Sequence, residues 1–284
     1  MTILLDGKAL ATKLLIELAN KVSELDTKPK LAVIIVGNNP ASKIYVALKE
    51  KRAKAVGMES LVIPLNEDIT QEALLEHIDI LNEDTSINAI LVQMPLPKHI
   101  DKEQVISRIS PQKDVDGFHP LNAGLLTTGG NPYVTPCTPT GIIRLLNEYK
   151  IEIAGKHVVI IGRSNIVGKP MAEMFLARNA TVTVCHSKTE NISNYIKDAD
   201  IIVSAAGVPK LIKGDVIKPN AVVIDVGISK DESGKIAGDV DFETAQYSAG
   251  AITPNPGGVG PMTIAMLLYN TYKLYAQQKL NQNS

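Results

Sequence analysis

The chain has 284 residues, 45% of them apolar and 21% charged, a globular composition that excludes disorder over most of its length. Its net charge of −1, from 29 basic and 30 acidic side chains, leaves no global field to drive binding to nucleic acid or anionic lipid. Two cysteines, Cys137 and Cys185, are too few for a disulfide framework or a thiolate zinc site. No apolar run approaches the ~20 residues of a membrane span. Residues 1–7 lack the marks of a secretory signal, so a cytoplasmic location is expected. At ~150 residues per domain, the length suggests two domains.

In chain order, Asp6 is placed to cap a helix carrying Leu10, Leu14, Leu15 and Leu18. The β-branched run 30–36 predicts a strand, followed by a turn and a helix with Pro40 near its start, where a missing N–H costs nothing. Ala41, Ile44, Leu48 and Ala55 read as the buried stripe of that helix. Runs at 60–64 and 88–92 predict two more strands. Between them Thr70 caps a helix carrying Leu74, Leu75, Ile78 and Leu81. Residues 111–139 break both periodicities and hold five prolines and Gly129-Gly130, so the domain connection is expected there. Further strands are predicted at 157–161, 180–184, 200–204, 221–225 and 251–253. The last helical pattern runs from Met262 to about Gln278, and the polar tail Gln277 to Ser284 is expected to fray. Near-continuous apolar strands alternating with helices predict α/β architecture, with two doubly wound units of three to five strands each.

The strand ending at Ile161 runs into Gly162-Arg163-Ser164-Asn165-Ile166-Val167-Gly168-Lys169-Pro170. A glycine at a strand-to-helix turn lets backbone N–H groups approach a diphosphate. The match to G-x-G-x-x-G is imperfect, with Ser164 and Val167 in the second and third glycine positions, and a tight turn without a ligand is the alternative. A P-loop is excluded: five residues separate Gly162 and Gly168, and Pro170 stands where a Ser or Thr is needed. The next strand ends Val184-Cys185-His186-Ser187-Lys188, without the carboxylate that holds the ribose of NAD. Arg163 and Ser187 suit a 2′-phosphate, which favours NADP over NAD. His186 reads as a cofactor-neighbour or packing residue rather than a catalyst, and Cys185 as packing in the strand end.

At the other end of the chain Tyr45 and Lys49, four residues apart, share a helix face. A lysine at a partly dry edge, with Lys43 and Arg52 near it, is expected to have its pKa drawn down by desolvation and like charge, as proton transfer near neutrality requires. A solvated basic face is the alternative, since residues 43–54 hold five basic side chains against Glu50. Gln93 follows a buried strand, at the carboxyl end where doubly wound sheets bind ligands. Asp114 and Asp116 lie in an irregular loop, where they can cap turns; without a close histidine they make a poor transition-metal site, and no metal is expected.

Together these segments resemble the bifunctional methylenetetrahydrofolate dehydrogenase/methenyltetrahydrofolate cyclohydrolase family. The resemblance rests on Asn39-Pro40-Ala41-Ser42-x-x-Tyr45-x-x-x-Lys49, Gln93-Met94-Pro95-Leu96-Pro97, Lys113-Asp114-Val115-Asp116-Gly117-Phe118, the Gly162 to Pro170 turn, and Pro256-Gly257-Gly258-Val259-Gly260-Pro261-Met262-Thr263. It covers essentially the whole chain. It implies a catalytic, folate-binding domain of residues 1–120 plus 263–284 and a Rossmann-type NADP domain of residues 121–262, with a cleft between, assembled as a homodimer. It implies oxidation of 5,10-methylenetetrahydrofolate with NADP⁺, then hydrolysis of the methenyl product to 10-formyltetrahydrofolate at the same site. Lys49 is implied as the central catalytic residue, Tyr45 as packing against folate, Gln93 as positioning Lys49, and Asp116 as binding the pterin. Gly162, Arg163, Ser164, Ser187 and Ile228 match cofactor contacts, and Gly258 and Pro261 are implied substrate contacts, the glycine-rich turn letting backbone come close. A fused ATP-dependent synthetase is not expected. A different NADP dehydrogenase, or an NADP-sensing module without turnover, would share the nucleotide turn but would not need Tyr45, Lys49, Gln93 and Asp116 together.

Overall fold

The computed structural model describes residues 2–230 and 234–282. In chain order the first elements are β1 (Ile3–Leu4), α1 (Gly7–Ser23), β2 (Lys30–Val36), α2 (Pro40–Ala55), β3 (Glu59–Leu65), α3 (Gln71–Glu83), β4 (Ala89–Val92), α4 (Lys102–Arg108) and α5 (Pro120–Thr127). They continue with α6 (Cys137–Glu148), β5 (His157–Ile161), α7 (Gly168–Leu176), β6 (Thr181–Cys185), α8 (Ser193–Ile196), β7 (Ile201–Ser204) and β8 (Val222–Asp225). The last are β9 (Ser229–Lys230), β10 (Ile236–Ala237), α9 (Phe242–Ala245), β11 (Ala251–Ile252) and α10 (Val259–Gln282).

Two compact units result: residues 1–12 with 138–263, and residues 13–137 with 264–284. We call them the nucleotide unit and the lysine unit. Apart from Thr263, which falls with the nucleotide unit, this division differs from the sequence-based one in two places. β1 pairs in parallel with β11, which draws the N-terminus into the nucleotide unit. Residues 121–137 stay with the lysine unit because buried Asn122 ties them down: its Nδ2 donates to Asp114 Oδ2 at 2.9 Å and its Oδ1 accepts from Tyr133 N at 3.1 Å.

In the lysine unit the sheet is parallel, in the order β3-β2-β4. The chain moves to one side of β2 and returns on the other, so the strand order reverses between the carboxyl ends of β2 and β4. Such a switch point opens a crevice where ligands bind. β2 and β4 are buried along nearly their whole length, as apolar runs covered on both faces require. α3 starts where Thr70 Oγ1 accepts from Ala73 N at 3.2 Å, and it buries Leu74, Ile78 and Leu81 against Ala32, Ile34 and Ile90 of the sheet. α2 is fixed by Ala53, with Val56 just beyond its end, in a cluster with Leu18 and Val22 of α1 and Leu268 of α10.

The nucleotide unit holds six parallel strands in the order β1-β11-β8-β7-β5-β6, with a switch point between β5 and β7. A separate antiparallel pair, β9 with β10, lies outside this sheet. The sheet exceeds the expected five strands because β1, only two residues long, carries too little pattern to be read as a strand.

Two other expectations are corrected. The proline-rich connection contains a helix, α5: His119 caps it, its Nδ1 accepting from Leu121 N at 3.0 Å, and Pro120 occupies the first turn. The polar tail does not fray at Gln277, because α10 continues to Gln282, with Gln278 donating to Asn88 O and Gln112 O at 2.9 Å each. Residues 283 and 284 lie outside the described residues. From the packing of α3, Ile78→Ala should destabilise the chain by about 2–5 kcal/mol, the usual cost of a cavity at a fully buried aliphatic site. Urea unfolding should show a lowered midpoint, and an unchanged midpoint would contradict that packing.

Candidate active site and nucleotide site

Asn39 caps α2 by accepting from Ser42 N at 3.0 Å, with Pro40 in the first turn. The buried residues of the helix are Ser42, Val46 and Ala53, not the expected stripe of Ala41, Ile44, Leu48 and Ala55. Ile44 is 68% exposed, Ala41 and Ala55 are exposed, and Leu48 is half-buried. Apolar character misleads here because the inward row carries polar groups. Positions 42, 46, 49 and 53 follow one another at helical spacing, so Lys49 belongs to the inward row itself. Tyr45, one turn earlier, leaves its side chain largely open, at 42% exposure.

Half-buried Lys49 donates from Nζ to Gln93 Oε1 at 2.9 Å. Gln93 is placed by its backbone, whose N donates to Ile34 O at 2.8 Å just past β4, and its Nε2 donates to Met94 O at 2.6 Å. The amide carbonyl of Gln93 is thereby turned toward the lysine. The loop carrying both aspartates runs alongside β4, with a parallel bridge between Ile90 and Asp114. Asp116 follows this bridge by two residues, just before the turn at Gly117.

The two aspartates separate by environment. Asp114 is buried and spent on its own loop, accepting from Gly117 N at 3.1 Å, His119 N at 2.8 Å and Asn122 Nδ2 at 2.9 Å. Among the described residues, half-buried Asp116 has one neighbour of this kind, Cys137 Sγ at 3.9 Å from Oδ1. Burial pushes the Asp116 carboxyl up to about 6, against the pull of the Lys49 charge. Burial also lowers the Lys49 pKa, with the Asp116 charge opposing it. The expected contribution of Lys43 and Arg52 is absent: both are exposed, and desolvation does the lowering.

Two residues at this site went unassigned from sequence. Buried Cys137 donates toward Val115 O at 3.6 Å, and its thiol pKa is driven up by burial, so it stays protonated. Asn270 of α10 shares its Nδ2 hydrogens among Val115 O, Thr135 O and Cys137 Sγ, at 2.9, 3.0 and 3.4 Å. Asn270 is 133 residues from Cys137 in the chain, and no local pattern marks either.

In the nucleotide unit, Gly162 follows β5 with φ +123°, and a Cβ there would run into Ala205 O after β7. A Cβ on Gly168 would likewise strike Gly162 O. The turn thus closes on two glycines, with Gly168 rather than Val167 in the packing role. Ser164 Oγ accepts from Val167 N at 3.1 Å and Gly168 N at 3.4 Å, leaving its hydroxyl proton free to donate. Ile161 pairs with Cys185, so exposed Arg163 and Ser187 stand at equal distance past the ends of β5 and β6. His186 is a turn residue, its Nδ1 accepting from Lys188 N at 3.2 Å. Ile228 is 57% exposed. Gly258 and Pro261 also lie in this unit; a Cβ on Gly258 would strike Pro254 O, and the bare Gly7 in turn makes room for Gly258 O.

Glycine-closed turns at a parallel-sheet switch point, in a chain that also buries a lysine against an amide and a carboxylate, define the class: a two-unit α/β dinucleotide-dependent enzyme. Family models for the tetrahydrofolate dehydrogenase/cyclohydrolase catalytic domain and NAD(P)-binding domain match residues 5–116 and 136–279. A "Bifunctional protein FolD" of Acetivibrio thermocellus is 57% identical over 272 residues, 95% of each chain. One from Streptococcus pneumoniae is 54% identical over 277 residues, 96% of this chain and 97% of its own. The crystal structure of the bifunctional FolD methylenetetrahydrofolate dehydrogenase/cyclohydrolase of Campylobacter jejuni superposes with a TM-score of 0.96 at 51% identity, covering 98% of this chain and 100% of that one. The Trypanosoma brucei FolD structure, complexed with NADP cofactor and inhibitor, has a TM-score of 0.93 at 42% identity, covering 97% and 98%. The chain belongs to the tetrahydrofolate dehydrogenase/cyclohydrolase family.

The opposed fields of Lys49 and Asp116 give a direct expectation. Asp116 should titrate near 6, and in Lys49→Gln its pKa should move higher still, because the ammonium that favours the carboxylate is gone. Carboxyl-carbon NMR of the two proteins measures this, and a downward shift would contradict the geometry. A raised folded-state pKa also means that the Asp116 contribution to stability declines as pH rises from about 4 through about 6.

Proposed function

We propose that the lysine unit takes the folate and the nucleotide unit the NADP⁺, and that Lys49 is central to both steps: oxidation of 5,10-methylenetetrahydrofolate to the methenyl cation and its hydrolysis to 10-formyltetrahydrofolate. The observation that carries this reading is the hydrogen bond from the desolvated Lys49 amine to Gln93, at the crevice between β2 and β4.

Burial favours the neutral amine, which keeps two N–H bonds and a lone pair. One N–H goes to Gln93 Oε1, which fixes where the lone pair points. A water attacking the methenyl carbon can pass one proton to that lone pair, and the ammonium so formed can return it to the ring nitrogen as its bond to that carbon breaks. The remaining hydroxyl proton leaves to solvent as the formyl C=O forms. Asp116, ionised above about pH 6, accepts two parallel N–H bonds from the amino-pyrimidine edge of the pterin. Tyr45 offers its open ring as a stacking surface for folate.

The nucleotide unit fits NADP. Gly162 and Gly168 bring backbone close at the switch point, Ser164 keeps a proton to donate, and Arg163 and Ser187 are open at the carboxyl edge, where no carboxylate closes β6. Bound NADP⁺ supplies the hydride acceptor. Arg163 offers a planar fork to a 2′-phosphate, Ser187 a hydroxyl beside it, and Ile228 an apolar wall. Gly258 and Pro261 are the further residues proposed to contact the folate. A homodimer in the cytoplasm completes the reading; among the described residues no helix is long and apolar enough to cross a membrane.

Lys49→Met should nearly abolish cyclohydrolase activity while NADPH binding, followed by fluorescence, survives; normal methenyl hydrolysis in that variant would sink the assignment. Arg163→Ala should raise KM for NADP⁺ far more than KM for NAD⁺, through loss of a charge-assisted phosphate contact. An equal change for both cofactors would remove Arg163 from the 2′-phosphate. Light scattering on the purified protein measures the assembly state.

A further inference from the structure

The loops that leave β7 and β8 at the carboxyl edge are held by two buried carboxylates. Asp239 is wholly buried, and its Oδ2 accepts from Ser204 Oγ at 3.0 Å, Ala206 N at 2.7 Å and Gly207 N at 3.2 Å, while Oδ1 accepts from Val208 N at 2.9 Å. Three successive backbone N–H groups converge on it, the concave donor arrangement that binds an anion, and here the chain supplies the anion itself. Asp225, at the end of β8, accepts from Gly227 N at 3.0 Å and Asp239 N at 2.9 Å on Oδ1, and from Val240 N at 3.3 Å on Oδ2.

The two carboxylates interlock through glycines. A Cβ on Gly227 would run into the Asp239 carboxylate, and a Cβ on Gly238 would run into that of Asp225. Each acid therefore lies on the bare face of a glycine that adjoins the other acid. Asn255 Nδ2 donates to Gly227 O at 2.6 Å and closes the arrangement. One set of bonds thus sets two loops, residues 205–208 beside the Gly162 turn and residues 226–228 leading to exposed Ile228.

We propose that Asp239 is a positioning residue for the cofactor: with Asp225 and the opposed Gly227 and Gly238, its carboxylate holds both loops in the shape that receives the dinucleotide, without touching it. The inference rests on the reading of this unit as the NADP site. A carboxylate is required because every group converging on it is a donor; an amide would set an N–H₂ among them.

Cyclohydrolase activity needs no NADP, so the protein carries its own control. Asp239→Asn should raise KM for NADP⁺ and weaken NADPH binding by about tenfold or more, the scale of a lost charge-assisted contact. Methenyl hydrolysis, assayed without cofactor, should stay near the wild-type rate. Ser204→Ala removes one donor from a carboxylate that keeps three, so it should shift KM for NADP⁺ in the same direction by a smaller factor, and it serves if Asp239→Asn does not fold. An unchanged KM for NADP⁺ in a folded Asp239→Asn, or in Ser204→Ala if that is the only folded variant, overturns the proposal. So does a loss of both activities in equal proportion. Failure of the underlying reading looks different, because wild-type protein would then neither bind NADPH nor reduce NADP⁺ with the folate.

Discussion

The contact between Lys49 and Gln93 organises the lysine unit. A primary amine on the inward row of a helix is expensive unless it has a partner, and Gln93, just past the end of β4, supplies an amide oxygen at 2.9 Å. Everything around this pair holds one of its two sides in place. Ala53 and Val56 anchor α2 among α1 and α10. The backbone of Gln93 is tied to Ile34 of β2. Asp114 spends its carboxylate on the loop that carries Asp116. The amine is dried by its packing, which lowers its pKa, and the charge of Asp116 opposes that shift.

The nucleotide unit solves a different problem, namely how to bring backbone close to a large anionic ligand. It relies on absent side chains. Gly162 and Gly168 close the first turn on each other and on Ala205 O, while Gly227 and Gly238 make room for the carboxylates of Asp239 and Asp225. In each case the glycine is required by a specific neighbouring atom. The two buried acids lie outside the phosphate turn, yet they shape loops at the same edge of the sheet.

Much of this was legible along the chain. β2 and β5 begin and end where their β-branched runs do, and the other strands predicted from such runs differ by one residue at either end, because fully covered parallel strands announce themselves as unbroken apolar stretches. Thr70 and Asn39 cap where short polar side chains meet helical periodicity. The five motifs that marked the family are local in sequence and so were readable. The buried stripe of α2 was not, since its inward row holds Ser42 and Lys49 while Ile44 faces out. α5 was hidden by the prolines around it, one of which starts it. β1 was too short for any periodicity, and it is a strand only because β11 offers an edge.

The amino-acid sequence by itself determined the α/β class, the strands, the caps, the family and the residue types that chemistry would need, since each depends on neighbours within a few positions. Tertiary structure decided which of two aspartates is spent on its own loop and which stays available. It also put Lys49 on the dry side of its helix and set Asn270 beside Cys137. The reason is physical: desolvation and hydrogen-bond partnership are properties of packed surroundings, and those surroundings are assembled from segments more than a hundred residues apart.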